Sequence, residues 1–250
     1  MNLVLDIGNT RAKACVYDGD TLVFSSISDN GLEAVLDMAA SISASYSIDR
    51  SIVASVASDA AEYCARLQES GINAMALTAD TPVPIANNYA TPRTLGLDRL
   101  AAAVGASVLY PDSNVMIIDA GSAVTYDVLM DGNTFCGGNI APGMSMRFRA
   151  LHEFTHSLPL LDGAGWECGC GDYGRTTADA IRIGVIDGLV HEMDGFIDDF
   201  VKKNVNTQII LTGGDSIFLS KKLKNTIFAE PNLVTIGLNR ILNYNVYKKF

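Results

Sequence analysis

Two copies of one short pattern, a strand ending in aspartate followed by a glycine turn, most constrain how this chain can fold. The first copy spans residues 6–10, DIGNT, and the second spans residues 119–123, DAGSA. Asp6 and Asp119 are 113 residues apart in a chain of 250, and a similar order of elements follows each. We interpret this as an internal duplication, which predicts two similar α/β lobes facing each other across a cleft. The alternative is two chance D-x-G turns, and their shared position at strand ends favours duplication.

The pattern of apolar residues predicts a meander of strands and then alternating helices and strands, twice over. This gives an α/β fold with an N-terminal lobe at 1–113 and a C-terminal lobe at 114–250. The predicted strands are 3–6, 12–17, 21–27, 51–55, 73–77, 115–119, 123–130, 134–140 and 208–211. The predicted helices are 31–44, 59–69, 97–109, 145–154, 177–201 and 233–247.

Composition and charge exclude several classes of protein. Hydrophobic residues make up 48% of the chain and charged residues 18%, which is a globular composition. The net charge of −10 argues against a nucleic-acid partner, because phosphate binding needs clustered Lys and Arg. The longest uncharged apolar run, 100–109, is too short to cross a bilayer, and the opening MNLVLD lacks the basic start of a signal peptide. We therefore expect a cytoplasmic protein with no membrane contact.

The residue types in the two turns suit phosphate chemistry. Glycine lets the backbone approach a phosphate closely, and successive N–H groups with a Ser or Thr hydroxyl can bind its oxygens. An aspartate at the strand end suits Mg²⁺, which takes oxygen ligands. The sequence has neither GxxxxGK[ST] nor GxGxxG, so the P-loop and Rossmann routes to nucleotide binding do not apply.

Six motifs occur in order along the chain. They are DIGNTRAK at 6–13, GLDR at 96–99, DAGSAVTYD at 119–127, GGNIAPG at 137–143 with the A-L…T…L-P pattern at 150–159, GRTTADAI at 174–181 and LTGGDS at 211–216. This set resembles that of type III pantothenate kinases, within the actin, sugar-kinase and heat-shock-chaperone ATPase superfamily, and the resemblance covers nearly the whole chain. Ser122 stands where the family usually has Thr, Thr176 where it has Asn, and Leu97 where Ala is commoner.

The resemblance implies two actin-like (ribonuclease H-like) lobes, each a mixed sheet with a β-meander flanked by helices, and a nucleotide between them. It implies phosphorylation of pantothenate by ATP to 4′-phosphopantothenate, the first step of coenzyme A synthesis. It also implies Mg²⁺ with the ATP, a monovalent cation, K⁺ or NH₄⁺, and a homodimer. The ATP-binding residues by this resemblance are Asp6, Ile7, Gly8, Asn9, Thr10, Arg11, Ala12, Lys13 and Ser122.

The same resemblance assigns residues to the pantothenate site and the cations. Asp98 is the general base for the pantothenate hydroxyl, and Arg99 holds the pantothenate carboxylate. Asp119 binds the monovalent cation, and Asp6 is the Mg²⁺-side carboxylate, directly or through water. The remaining substrate-binding residues are Tyr89, Gly96, Leu97 and Thr177.

Each of these residues also has a plainer interpretation. Asp98 and Arg99 also suit a helix cap with a surface ion pair, Tyr89 an ordinary loop aromatic, and Thr177 the N-cap of the helix that follows. The apolar helices 97–109 and 177–201 suit the contact of a homodimer, and they also suit an intramolecular core.

Two other functional classes stay open at the sequence level. His152, Glu153 and His156 form HExxH, which on one helix would hold Zn²⁺ in a metallopeptidase, although Pro159 ends any helix soon after. The other class is a regulatory member of the superfamily, which binds a nucleotide without turning it over. Cys168 and Cys170 are a close pair, but a zinc site would need two further ligands.

Overall fold

A computed structural model describes residues 1–56, 59–163 and 173–247, and the chain divides into two compact units. The first unit comprises Met1–Asp112, Leu129–Gly137 and Asn232–Phe250, and the second comprises Ser113–Val128 and Gly138–Pro231. Two segments from beyond residue 113 thus belong to the first unit. The domain boundary at 113 stays a prediction.

The described ranges contain eleven strands and seven α-helices. Up to residue 109 they are β1 (Asn2–Ile7), β2 (Arg11–Asp18), β3 (Thr21–Asp29), α1 (Leu32–Ser45), β4 (Arg50–Ser55), α2 (Ala60–Glu69), β5 (Asn73–Ala76), β6 (Ala86–Asn87) and α3 (Leu97–Leu109). Beyond it they are β7 (Asn114–Ala120), β8 (Ala123–Met130), β9 (Thr134–Pro142), α4 (Met144–Glu153), α5 (Thr177–Lys203), β10 (Thr207–Thr212), α6 (Ser216–Ser220), β11 (Phe228–Ala229) and α7 (Leu233–Tyr247).

The first sheet has the order β3-β2-β1-β4-β5, with an antiparallel meander on one side and parallel strands on the other. Its central strand β1 is apolar on both faces, and Leu3, Val4 and Leu5 are fully buried. Such a continuous apolar run is typical of a strand covered on both sides. Asp6 follows that run near the strand's carboxyl end.

The second sheet has the order β11-β10-β7-β8-β9-β6. Its strand β7 is again buried, pairs in parallel with β10, and is followed by the hairpin strands β8 and β9. Each copy of the D-x-G pattern therefore ends a buried central strand and opens a meander in a mixed sheet. The predicted repeat of this arrangement is confirmed.

Helix α3 is buried on almost all sides and packs closely on α7 within the first unit. A Cβ at Gly105 would collide with the backbone oxygen of Leu233, and one at Gly237 would collide with that of Ala101. The two glycines therefore permit the close crossing, which fixes the direction of α3 and of the residues at its start. No helix in the described ranges has the length and apolarity needed to cross a membrane.

The pattern analysis missed three short elements, β6, α6 and β11. They contain two, five and two residues. Segments this short contain too few positions to show a periodicity of two or 3.6 residues. Strand β6 is defined by its partner instead, since Asn87 pairs with Phe135 of β9.

Candidate active site

The turn between β1 and β2 places the residues of the first phosphate motif. The Gly8 N–H donates to the Arg11 carbonyl at 2.9 Å, which closes the turn. Asn9, Thr10 and Arg11 are exposed, whereas Ile7 and Ala12 face the core as a cross-strand pair. In the predicted ATP-binding segment, the side chains of Ile7 and Ala12 therefore pack in the core. The turn between them is exposed and suits phosphate.

Asp6 lies in an unfavourable place for a negative charge. Burial and the neighbouring Asp98 raise the pKa of its carboxyl to about 6, and Lys13, its cross-strand partner, acts in the opposite direction. The structure therefore brings Asp6 and Asp98, 92 positions apart in the sequence, into electrostatic contact. A cation at Asp6 would relieve this repulsion.

The start of α3 presents Asp98 and buries Arg99. Gly96 is the N-cap residue, and the Asp98 Oδ1 accepts the Arg99 N–H at 2.8 Å. A Cβ at Gly96 would lie 2.5 Å from that Oδ1, so the glycine makes room for the carboxylate. Arg99 is only 7% exposed, so the alternative of a surface ion pair is wrong.

Tyr89 lies with the other predicted substrate residues of the first unit. Its ring lies 5.6 Å from the Arg99 guanidinium carbon and 6.1 Å from the ring of Phe135. Gly137, with a φ of +98°, has its Cβ position 3.3 Å from the Tyr89 ring. Tyr89 is therefore a packed partner of Arg99 rather than an ordinary loop aromatic. Leu97, the first residue of α3, is half-buried.

The second D-x-G turn lies in the second unit and has glycines around it. The Gly121 N–H donates to the Ala123 carbonyl at 3.0 Å, and the Gly143 N–H donates to the Ser122 carbonyl at 3.2 Å. Gly213, with a φ of +90°, follows the β10 residue that pairs with Asp119, and its Cβ would collide with the Asp119 Oδ1. These glycines let the backbone approach the Asp119 carboxylate closely.

Thr177 is the first residue of α5 and does not cap it. The N-cap is Thr176, whose Oγ1 accepts the Asp179 N–H at 3.1 Å and donates to the Asp179 carboxylate at 2.7 Å. The interpretation of Thr177 as the N-cap is therefore wrong. Its predicted role as a substrate contact stays a prediction.

The HExxH pattern does not form the geometry of a zinc peptidase. Helix α4 ends at Glu153, so His152 and His156 do not share a helical face. The His152 Nδ1 lies 2.8 Å from the Leu158 carbonyl, and Glu153 pairs with Arg149 at 2.8 Å. Nowhere in 1–56, 59–163 and 173–247 do three His, Cys, Asp or Glu side chains form a metal-binding group. Cys168 and Cys170 lie outside the described residues.

The sequence analysis missed four residues that shape these sites: Phe135, Gly137, Gly213 and Asp215. Phe135 and Gly137 surround Tyr89, while Gly213 and Asp215 close the turn after β10 against Ala120 and Asp119. Burial also raises the pKa of the Asp215 carboxyl. The motif LTGGDS at 211–216 contains Gly213 and Asp215 and was the sequence signal that could have identified them.

Solved structures share this fold at low sequence identity. A conserved Baf family protein from Campylobacter jejuni aligns with a TM-score of 0.63 and 21% identity, covering 98% of this chain and 99% of that one. The activator of 2-hydroxyisocaproyl-CoA dehydratase from Clostridium difficile, with bound ADPNP, aligns with a TM-score of 0.57 and 12% identity, covering 99% and 97%. The predicted actin-like α/β class is confirmed.

Curated relatives are far closer in sequence. A type III pantothenate kinase of Phocaeicola vulgatus is 43% identical over 245 residues, covering 98% of this chain and 99% of its own. One of Bacteroides fragilis is 41% identical over 249 residues, covering 98% of each. The family model described as type III pantothenate kinase matches residues 2–199, a range that contains both D-x-G turns, Tyr89 and the start of α3. The chain therefore belongs to the type III pantothenate kinase family.

Proposed function

We propose that this chain transfers the γ-phosphoryl group of ATP to the primary hydroxyl of pantothenate, giving 4′-phosphopantothenate and ADP. This is the first step of coenzyme A synthesis. The observation that carries the proposal is the start of α3, where the family's G-x-D-R motif presents a carboxylate next to a buried arginine. Phosphoryl transfer to an alcohol needs a group that takes the hydroxyl proton and positive charge that orients the substrate.

Asp98 is the general base in this proposal. Its Oδ1 is held by the Arg99 N–H in the first turn of α3. Oδ2 is then the oxygen that accepts the proton from the pantothenate hydroxyl. The packed crossing of α3 and α7 keeps this carboxylate in place, as a general base requires.

Arg99 and Tyr89 bind the pantothenate carboxylate. A guanidinium matches a carboxylate with two parallel N–H donors, and stacking on an aromatic ring limits its motion. The 5.6 Å contact between Arg99 and Tyr89 supports this role. Gly96, Leu97 and Thr177 are the other proposed substrate contacts.

The residues around Asp6 fit a divalent cation. Mg²⁺ keeps several waters and is usually held by one or two carboxylates together with substrate phosphates, so a single buried carboxylate near a phosphate turn is an adequate ligand set. When bound, Mg²⁺ would neutralise charge on the β- and γ-phosphates. The N–H groups and hydroxyls of 8–13, and the hydroxyl of Ser122, bind phosphate oxygens in this proposal.

Asp119 is proposed to bind K⁺ or NH₄⁺. The backbone at Gly121 and Gly213 passes close to its carboxylate, and a Cβ at 213 would collide with the Oδ1. The neighbouring turn is rich in backbone carbonyls, which suit a weakly hydrated cation.

A homodimer in the cytoplasm is also proposed. Its support on the molecule is a set of apolar side chains exposed on and beside α4: Ile140 is 65% exposed, Met146 47% and Phe154 85%. Exposed apolar side chains close together are typical of interfaces. Sedimentation should give twice the 26.6 kDa of one chain, and a mass of one chain would refute the dimer.

A coupled assay of ADP release tests the main proposal. Pantothenate should stimulate ADP release by the purified chain, and mass spectrometry should find phosphopantothenate as the product. A pantothenate analogue without the primary hydroxyl is the matched control and should give no stimulation. Equal ADP release with and without pantothenate would contradict the substrate assignment.

A further inference from the structure

The side chain of Asn30 holds the exposed turn of the first phosphate motif. We propose that Asn30 is a positioning residue that points the N–H groups of Asn9 and Thr10 toward a phosphate of the bound nucleotide. The inference rests on the proposed function, because it concerns the turn that binds ATP there. Asn30 itself does not touch the nucleotide.

Asn30 reaches the turn through the pairing of strands. Arg11 of β2 pairs with Asp29, the last residue of β3. Asn30, which follows Asp29, therefore lies beside residues 8 and 9. There the Asn30 Nδ2 donates to the Gly8 carbonyl at 3.1 Å and to the Asn9 carbonyl at 2.8 Å. One side-chain amide therefore binds two successive backbone oxygens.

This double contact fixes the direction of two N–H groups. In a trans peptide the carbonyl and the N–H point in opposite directions, and no cis peptide occurs in the described residues. With both carbonyls turned toward Asn30, the N–H groups of Asn9 and Thr10 point away from it. Within the described ranges neither N–H donates to a protein acceptor. Two adjacent donors without a protein acceptor are the arrangement that binds an anion.

Asn30 is itself anchored from the other side. The hydroxyl of Tyr63 donates to the Asn30 carbonyl at 3.1 Å, and Tyr63 on α2 is only 2% exposed. The chain of contacts therefore runs from the core to the turn through one asparagine. An aspartate at position 30 has nearly the same shape but no donor when ionised, and it would repel both carbonyls.

The test compares Asn30→Asp and Asn30→Ala with the wild-type chain. In a steady-state assay the KM for ATP should rise and kcat/KM for ATP should fall by about 10- to 100-fold, because misplaced donors bind the phosphate poorly. The KM for pantothenate should change by less than about twofold, since that site is not altered. Asn30→Asp should raise the KM for ATP more than Asn30→Ala does. Tyr63→Phe should also raise it, but less than either Asn30 variant.

Asn245 provides a matched control. Its Nδ2 also donates to two backbone carbonyls, those of Pro82 at 2.8 Å and Ile241 at 2.9 Å, and it too is half-buried in the first unit. Asn245→Asp and Asn245→Ala should lower the melting temperature about as much as the Asn30 variants. They should leave the KM for ATP unchanged.

Direct binding of ADPNP, measured by calorimetry without pantothenate, separates the possible failures. Wild-type binding with the Kd raised at least about tenfold in Asn30→Asp supports the inference. Wild-type binding with an equal Kd in Asn30→Asp, or an equal loss in Asn245→Asp, overturns it while the proposed function stands. A wild-type chain that binds no ADPNP overturns both.

Discussion

The two aspartate–glycine turns have the same backbone arrangement, but different groups surround them. Asp6 and Asp119 each lie near the carboxyl end of a buried central strand that pairs in parallel with a neighbour. Around Asp6 the structure places charges, a second carboxylate from Asp98 and the ammonium of Lys13. Around Asp119 it places glycines, at 121 and 213.

This difference indicates how a duplicated element can acquire two roles. Repulsion between two carboxylates favours a small, highly charged cation next to Asp6. Close backbone with its carbonyl oxygens suits a larger monovalent cation next to Asp119. We infer that the first turn takes part in phosphoryl transfer and that the second binds a supporting cation.

The largest expected effect is at Asp98, the carboxylate next to the first turn. Asp98→Asn keeps the size of the side chain but cannot accept a proton, so kcat should fall by about 10²–10⁴-fold. ADPNP should still bind, because the phosphate turns are intact. If Asp98 only capped the helix, Asp98→Asn would be nearly silent, since Asn caps as well as Asp. A near-wild-type kcat would remove Asp98 from the mechanism.

A smaller effect is expected at Arg99. Arg99→Ala removes charge-assisted hydrogen bonds to the pantothenate carboxylate, so the KM for pantothenate should rise about 10- to 100-fold. Because Arg99 is buried, the melting temperature should be measured alongside, with Arg99→Lys as the variant that keeps the charge. An unchanged KM for pantothenate in a folded Arg99→Ala protein would contradict the assignment.

The sequence predicted the elements with long patterns well and the contacts between distant residues poorly. Strand β1 and helix α3 were predicted to within a residue or two, because burial on both faces leaves a continuous apolar run. The electrostatic contact of Asp6 with Asp98 and the packing of Tyr89 on Arg99 depend on tertiary structure. No local pattern reveals them.

The same limit explains why Asn30 was missed. Its neighbours in sequence, Asp29 and Gly31, make it look like one polar residue of a turn before a helix. Its importance depends on the register of β2 against β3, which the apolar pattern does not specify residue by residue. The motif of the first turn covers the residues proposed to bind phosphate, and it does not include Asn30.

The second turn should produce a moderate effect that depends on the cation. Asp119→Asn removes the charge that holds K⁺ or NH₄⁺, so activity should fall by about tenfold and the remaining activity should no longer respond to K⁺. Assays in K⁺ and in Na⁺ at equal ionic strength, with choline chloride as control, separate a specific site from screening. Full wild-type activity in Na⁺ alone would contradict a monovalent-cation site.

The smallest expected effect is on stability, and it tests the charges around the first turn. The folded-state pKa of Asp6, about 6, lies above its usual 3.8, so the folded chain binds the proton more tightly than the unfolded chain does. This contribution to the free energy of unfolding is fully present below pH 4 and is lost as the pH rises through 6. Asp6→Asn does not titrate, so it should become more stable than wild type between pH 4 and 7, by at most about 3 kcal/mol.

Urea unfolding without nucleotide or Mg²⁺, at pH values from 4 to 8, measures this difference. Asp37→Asn is the matched control, because Asp37 is an exposed carboxylate on α1. With Mg²⁺ added, the wild type should become more stable than Asp6→Asn. A cation at the carboxylate stabilises its charged form, and only the wild type has a carboxylate there to bind the cation. A difference between Asp6→Asn and wild type that stays constant across the range would show that Asp98 and burial do not raise the pKa of Asp6. The electrostatic contrast between the two turns would then be lost.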